Sequence, residues 1–317
     1  MTPLSGQSQP RTSQATYAAA EQAARALVAE LERDRTLDDP AQLRRRVSAA
    51  EQLEAYMPGG SQRGEGGTAP HDAALHDRAR AIHMRLEAAN GELFESIRRD
   101  VRQARGPQRL AEWLEPDVGA ESAPEPPRGD AYDYLDVLVA GILQFDTPAG
   151  TLGLAPEMVA YQPTPARHIF DLIRRAHLAT DDVLVDLGSG LGHVPLLAAI
   201  CTSASGMGVE LQPAYVDVAR RSARALGITR ATFLQQDARS VDVSAGTVFY
   251  LYTPFTGNIL RDVLDSLRRA AAVRTIRVCT LGPGTEVVGL EPWLQPDVAL
   301  EADRVVIFSS RDEGVAQ

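Results

Sequence analysis

The sequence predicts an α/β protein: a seven-stranded, mostly parallel sheet with helices on both faces, preceded by an all-α N-terminal region. Three observations carry that expectation. Residues 183–193, Val-Leu-Val-Asp-Leu-Gly-Ser-Gly-Leu-Gly-His, pass from a β-rich apolar stretch through alternating glycines into an apolar helical stretch, Val194 to Ile200. Two further strands follow in succession, and each of the three runs into an acid: Asp186, Glu210 and Asp237. Upstream, apolar residues recur at helical rather than strand spacing.

The first strand and its turn are the most informative part of the chain. Gly188, Gly190 and Gly192 let a backbone approach a ligand closely, with no Cβ in the way. The helix that follows presents unpaired N–H groups to an anion or a polar tail. A dinucleotide fingerprint needs Gly-x-Gly-x-x-Gly, yet its third place is His193 here, and the available glycine, Gly192, comes one residue early. Asp186 would crowd a pyrophosphate and is better placed to face a cation, such as the amino group of a methionine moiety. The expected cofactor is therefore S-adenosylmethionine.

The next elements agree. Residues 205–209 read as a second strand ending in Glu210, an acid about twenty residues on that is placed to accept from ribose hydroxyls. Leu211 to Leu226 reads as a helix, with Pro213 in its first turn and Gly227 as its stop. A third strand, Ala231 to Gln235, leads to Asp237 and Ala238, where a carboxylate and backbone N–H groups would read an adenine ring. Ligands of open α/β sheets bind at this carboxyl edge. An acid at a strand end can also serve only as a cap or turn former.

The run Asp186-Leu-Gly-Ser-Gly-Leu-Gly-His-Val-Pro-Leu-Leu-Ala resembles the first motif of Rossmann-like class I methyltransferases, and is most similar to that of the non-SET histone lysine methyltransferase family and its bacterial relatives. Gly208-Val-Glu-Leu resembles that family's second motif, and Phe233-Leu-Gln-Gln-Asp237 its adenine-side motif. Val248 to Gly257 falls where the family has its fourth strand and substrate-side loop, and the similarity spans roughly residues 160–280. The resemblance implies that Tyr161, Thr164, Asp186, Gly188, Ser189, Gly190, Gly192, His193, Glu210, Leu211, Asp237 and Ala238 bind the cofactor.

The departures bear on the acceptor. Where the family's loop carries a pair of asparagines, this chain has Tyr252 and Thr253, and of the family's Tyr-Gly-Glu segment only Tyr161 is matched. Lysine specificity is not carried over on these residues. The Asn-Pro-Pro-aromatic motif of amide and adenine N-methyltransferases is also unmatched, because Tyr252 stands in place of its Asn. Tyr252, at the end of the fourth strand, and Tyr161, in the covering segment, are the candidate catalytic residues, with His193 and Asp146 behind them. The helix dipole would hold His193 neutral.

Composition sets the bounds. The chain has 317 residues, 44% of them hydrophobic, and a net charge of −10. That charge gives no whole-surface field for nucleic acid, which is not expected as a partner. Every one of its 32 basic residues is arginine, so no lysine can act as base or nucleophile. The two cysteines, Cys201 and Cys279, fall on the first helix and the fifth strand and read as buried apolar residues. No apolar leader or 18-residue apolar run is present, which predicts a cytoplasmic protein with no membrane partner.

Residues 1–15 read as a disordered tail, 16–115 as a helical domain, 116–129 as a Pro- and acid-rich linker, and 130–317 as the methyltransferase domain. Within the helical domain, Asp39-Pro40 starts a helix carrying Leu43, Val47, Ala50 and Leu53, and a Gly-rich loop occupies 58–69. A long amphipathic helix then presents a stripe from Leu75 to Val101, a surface for an internal core or for a homo-oligomer. Its His71, His76 and His83 lack the spacing of helical metal ligands, so no metal is expected. Tyr132 to Phe145 reads as a helix before the sheet, and 247–251, 274–280 and 304–309 as later strands, the last two finishing the sheet as an antiparallel pair around 284–300. The activity expected is in-line methyl transfer to a small molecule or a protein side chain. The alternatives are a non-catalytic S-adenosylmethionine-binding regulator, and a helical interaction protein that uses the α/β half as scaffold.

Overall fold

The computed structural model describes residues 11–56, 70–114, 126–150 and 153–311. Residues 1–10, the Gly-rich loop and most of the segment read as a linker lie outside them. The chain divides into two compact units, Met1–Glu95 and Ser96–Gln317. The dividing point falls within a helix, upstream of residues 116–129.

The first unit contains α1 (Arg11–Arg33), α2 (Leu43–Tyr56) and most of α3 (Pro70–Arg102). Its core gathers Val28, Leu31, Leu37, Ala49, Leu53, Ala79, Ile82 and Leu86. Asp39 does cap a turn begun by Pro40, but α2 buries Leu43, Arg46, Ala49 and Leu53, not the Val47–Ala50 face that periodicity predicts. The reason is Arg46, which is 0% exposed. Its guanidinium donates to Asn90 Oδ1 at 2.7 Å, to the Leu37 carbonyl at 3.0 Å, to the Pro40 carbonyl at 3.2 Å and to that of Asp39. A charge so satisfied can sit in a core, and a reading of apolar spacing cannot see it. Arg46→Ala strands these acceptors and is expected to lower the unfolding free energy by about 3 kcal/mol, read as a lower urea midpoint with an unchanged slope.

The second unit adds α4 (Gly106–Ala111), α5 (Tyr134–Leu143) and α6 (Ala166–Ala176) ahead of β1 (Val183–Leu187), α7 (His193–Cys201), β2 (Ser205–Glu210), α8 (Pro213–Leu226) and β3 (Ala231–Gln235). After these come β4 (Val248–Leu251), α9 (Gly257–Ala271), β5 (Arg277–Thr280), α10 (Gly284–Gly289), β6 (Leu294–Pro296) and β7 (Val306–Ser310). The sheet order is β3-β2-β1-β4-β5-β7-β6. The strands from β3 to β5 pair in parallel, and β7 joins antiparallel to both β5 and β6. The seven-stranded Rossmann-like sheet of the sequence reading is present.

Two faces are packed by different means. Gly206 of β2 has the backbone carbonyl of Pro195 only 2.4 Å from where a Cβ would stand, so α7 rests directly on that face. On the other face, Val185, Leu187 and Val209 join Leu260, Val263, Leu264 and Leu267 of α9 in one core. Chain order reverses between β1 and β4, which opens a crevice above their carboxyl ends.

Three details differ from the sequence reading. The helix before the sheet is shortened to α5, because a capping box of Asp133 and Asp136 starts it and Gln144 ends it in the left-handed region. Helices α6 and α9 were unread. The seventh strand, β6, is three residues ending in proline, too short to register as a period-two pattern. Cys201 and Cys279 are unbonded, with both thiols pushed up to about 12 by burial.

Candidate active site

The turn after β1 is shaped by what occupies the space its glycines leave. Gly188, Gly190 and Gly192 all have positive φ, at 89°, 51° and 86°. A Cβ on Gly188 would stand 2.3 Å from Cβ of Pro254, one on Gly190 2.1 Å from the ring of Tyr161, and one on Gly192 2.4 Å from the ring of Phe233. The turn thus seats the loop after β4, the covering segment and β3 at once. Its amides are largely spent within the protein: Gly188 and Ser189 donate to the Val209 carbonyl, Gly190 to Glu210 Oε2 and Gly192 to the Ser189 carbonyl. The turn thus serves close approach, as its glycines predict, while its own amides are engaged by β2 and by Ser189.

The three acids lie along one edge of a single cavity of about 1050 Å³. Asp186 is only 5% exposed. Burial first, and the charge of Glu210 second, raise its pKa well above the usual carboxylate range, with no hydrogen bond among the described residues to offset them. Glu210 accepts from the amides of Gly190 and Gln212, each at 2.8 Å. Asp237 caps the short turn Ala238–Ser240 through the Arg239 amide and pairs with the Arg239 guanidinium, which lowers its pKa. Glu210 and Asp237 therefore do the capping work open to any strand-end acid while also facing the cavity. Ser189 Oγ is buried with no partner among the described residues.

Over this edge lies the covering segment, residues 153–165. The Tyr161 ring packs on the glycine turn and meets Tyr215 of α8 at 5.1 Å between centroids, and its hydroxyl stands 3.4 Å from His193 Nδ1. Burial raises the Tyr161 phenol and pushes His193 down to about 4. His193 is thus neutral as the sequence predicts, but through burial, with the Phe145 ring edge-on at 4.6 Å. Thr164 Oγ1 shares a buried hydrogen bond of 3.1 Å with the Tyr250 hydroxyl. Leu211 and Ala238 complete the lining on this side. Of the predicted cofactor residues, Gly190 and Gly192 alone do not reach the cavity surface; they work by seating Tyr161 and Phe233.

The opposite wall comes from the loop after β4. Tyr252 is half-buried there, its phenol raised by burial. Thr253 holds a left-handed φ of 40°, fixed by donating to the Leu281 carbonyl and accepting from the Gly284 amide, both at 3.0 Å. Asp130 and Asp303 line the same wall. Nearby, Arg128 is engaged by Glu301 and by Asp303 at 3.3 Å. Sequence reasoning missed Tyr215, Pro254, Asp130 and Asp303. Tyr215 had a local signal, just beyond Glu210, whereas the two aspartates come to one cavity from segments some 170 residues apart in the chain and had none.

The histone methylation protein DOT1 family matches this chain over residues 158–243, a stretch that holds the covering tyrosine, the glycine turn and all three acids. This is a class I S-adenosylmethionine-dependent methyltransferase. The methyltransferase is 28% identical over 135 residues to a protein-lysine N-methyltransferase of Saccharolobus islandicus, an alignment taking in 42% of this chain and 76% of the relative. Among solved structures it is similar to an RNA methyltransferase from Salinibacter ruber in complex with S-adenosyl-L-homocysteine, at 26% identity, 47% of this chain, 92% of the other and a TM-score of 0.38. A precorrin-6y C5,15-methyltransferase from Geobacter metallireducens is 16% identical over 50% of this chain and 93% of its own, also at a TM-score of 0.38.

The residues present fit the cofactor. Among the described residues, Asp186 is a buried carboxyl lacking a counter-charge, and Ser189 is a buried hydroxyl lacking a partner. Both are what a cationic, hydrogen-bonding ligand would complete. No helix among the described residues is long and apolar enough to cross a membrane.

Proposed function

We propose that the methyltransferase modifies an amino group on a protein side chain, with lysine as the acceptor. One observation carries this reading: the wall facing the cofactor edge bears Asp130 and Asp303, the latter paired with Arg128, beside the Tyr252 phenol, with no unengaged cation lining the cavity among the described residues. Arg239 is the one guanidinium lining the cavity among the described residues, and Asp237 holds it. Arg128 is likewise held by Glu301 and Asp303. Such a wall attracts an ammonium and repels phosphate. The printed name of the Saccharolobus relative supports a protein acceptor.

In this reading Asp186 holds the cofactor's amino group, Glu210 its ribose hydroxyls through the lone pairs its backbone partners leave, and Asp237 with Ala238 the adenine. Bound S-adenosylmethionine supplies a sulfonium methyl, which passes to the acceptor nitrogen's lone pair as the sulfur keeps the bonding electrons. The chain's main task is alignment, which can supply roughly 7–11 kcal/mol. Tyr161 and Tyr252 remain protonated near neutral pH, since burial raises both. They orient the acceptor by hydrogen bonding and take no proton from it. The carboxylates steer the ammonium to the mouth, and the proton leaves to solvent before transfer.

The test is transfer of tritiated methyl groups to a lysine-rich protein, to its fully acetylated form, and to a small amine. Methyl-lysine in the first arm alone is expected. The chain contains no lysine, so methyl-lysine recovered from the mixture cannot come from the enzyme itself. An Asp130→Asn, Asp303→Asn double variant is expected to lose about tenfold or more in kcat/KM for the protein while binding cofactor normally. Label in the acetylated protein at other residues, or only in the small amine, overturns the reading. Tight cofactor binding with no transfer to any acceptor favours the regulator instead.

A further inference from the structure

The first turn of α9 lacks its own cap. Thr256 occupies the N-cap position, but its side chain makes no capping bond; its hydroxyl turns outward, 3.4 Å from the Glu157 carbonyl. The amides that an N-cap side chain would ordinarily satisfy, those of the second and third helical residues, go elsewhere. Asn258 donates to Glu157 Oε2 at 3.0 Å and Ile259 to the same oxygen at 3.2 Å, while Asn258 Nδ2 reaches Oε1 at 3.2 Å. Gly257 makes room, since a Cβ there would stand 2.4 Å from Glu157 Oε1. Glu157 itself sits at φ 71°, a left-handed conformation that a non-glycine residue holds only when its surroundings impose it.

Glu157 belongs to the covering segment, a hundred residues away in sequence. Around it the two strands of chain are laced together: the Thr256 amide donates to the Glu157 carbonyl at 2.8 Å, Met158 bridges Phe255, and the Val159 amide donates to the Pro254 carbonyl at 3.1 Å. Two residues further on stands Tyr161, over the glycine turn. The same short segment therefore carries the cofactor's roof and fastens the loop that bears Tyr252.

We propose that Glu157 is a positioning residue which, by capping α9 from the covering segment, makes the cofactor roof and the acceptor loop one mechanical unit. Cofactor binding beneath Tyr161 then orders residues 252–259, and the acceptor wall is complete only when the cofactor is in place. This rests on the cavity holding S-adenosylmethionine as read above.

The experiment uses the full chain and S-adenosylhomocysteine as probe, with amide hydrogen exchange and calorimetry as readouts. Three proteins are compared: wild type, Glu157→Ala, and Glu157→Ala with Thr256→Asp. The second substitution restores a cap in place without restoring the carboxylate link, while the backbone bonds between the two segments stay in all three proteins. In wild type the probe slows exchange in both 153–165 and 252–259. In the double variant the melting temperature is expected to return to that of wild type, protection is confined to 153–165, and affinity is about tenfold lower than wild type, a difference of ~1.4 kcal/mol. If the locally recapped protein regains wild-type affinity, or still shows protection at 252–259, Glu157 is a cap and nothing more. Failure of the wild-type chain to bind the probe would instead remove the cofactor reading, and this inference with it.

Discussion

Asp186→Asn is expected to bind S-adenosylmethionine about 100-fold more weakly than wild type at pH 8, from the loss of a desolvated charge partner, with no loss of thermal stability. The amide preserves shape and removes only the ability to become an anion. In the free protein, burial and Glu210 hold the Asp186 proton well above the usual carboxylate range. A cationic ligand favours the ionised form, so binding expels that proton, and affinity rises with pH until the raised pKa is passed. In the variant this slope is absent, and the gap between the two proteins narrows as pH falls. Calorimetry in two buffers of different ionisation enthalpy reads the proton directly. The sign for stability is opposite. With its folded pKa raised, Asp186 makes the native state bind more protons than the unfolded one, a contribution to stability lost as pH rises from the ordinary carboxylate range to the raised value. Ligand-free Asp186→Asn should therefore be the more stable protein in alkaline buffer. Equal affinities for the two proteins across the pH range would mean that Asp186 does not face the cofactor's cation, and binding of NAD in preference to S-adenosylmethionine would overturn the cofactor reading itself.

Gly190→Ala is expected to weaken cofactor binding about 30-fold, combining ~1–2 kcal/mol for the left-handed backbone with displacement of Tyr161. The added methyl would lie 2.1 Å from Tyr161 Cε2, and a ring on a partly exposed segment yields more readily than the turn. The tyrosine should swing off the cavity, losing its contacts to Tyr215 and His193. Tyr161→Ala removes the same roof without the strain. The two changes share the loss of the ring, so their combined effect should fall short of the sum, exceeding that of Tyr161→Ala only by the backbone strain at Gly190. A double variant clearly weaker than the product-free expectation, at the sum of the two losses, would show that the glycine acts on the ligand and not through the ring.

What the sequence disclosed was local. The turn after β1 and the acids Asp186, Glu210 and Asp237 each sit within a few residues of the strand they end, and their identities follow from the backbone they must serve. Of the opposite wall the sequence disclosed Tyr252 but neither aspartate, because these come from far apart: Asp130 precedes the sheet, Asp303 follows most of it, and only the fold brings them to one cavity. Glu157 is a sharper case. Nothing near it in sequence announces a capping residue, since the helix it caps begins a hundred residues later. Arg46 shows the same limit in another form: a periodicity reading finds Leu43 and Leu53 but puts Val47 and Ala50 where Arg46 and Ala49 are buried, because the largest side chain on that face is charged.

The pairing of β1 with β4 has a consequence for how this protein can change over time. Asp186 and Tyr250 are direct partners in that ladder, two residues short of Tyr252. In the proposed reading, donor and acceptor ends are thus mounted on adjacent rails, whose spacing of about 4.8 Å is fixed by backbone hydrogen bonds. A one-residue insertion or deletion in either strand would turn its side chains to the opposite face and uncouple the two ends at a stroke. Replacements in the loops beyond the rails carry no such penalty. Descendants of this chain are free to wander in what they modify, but not in how the two reactants are brought into line.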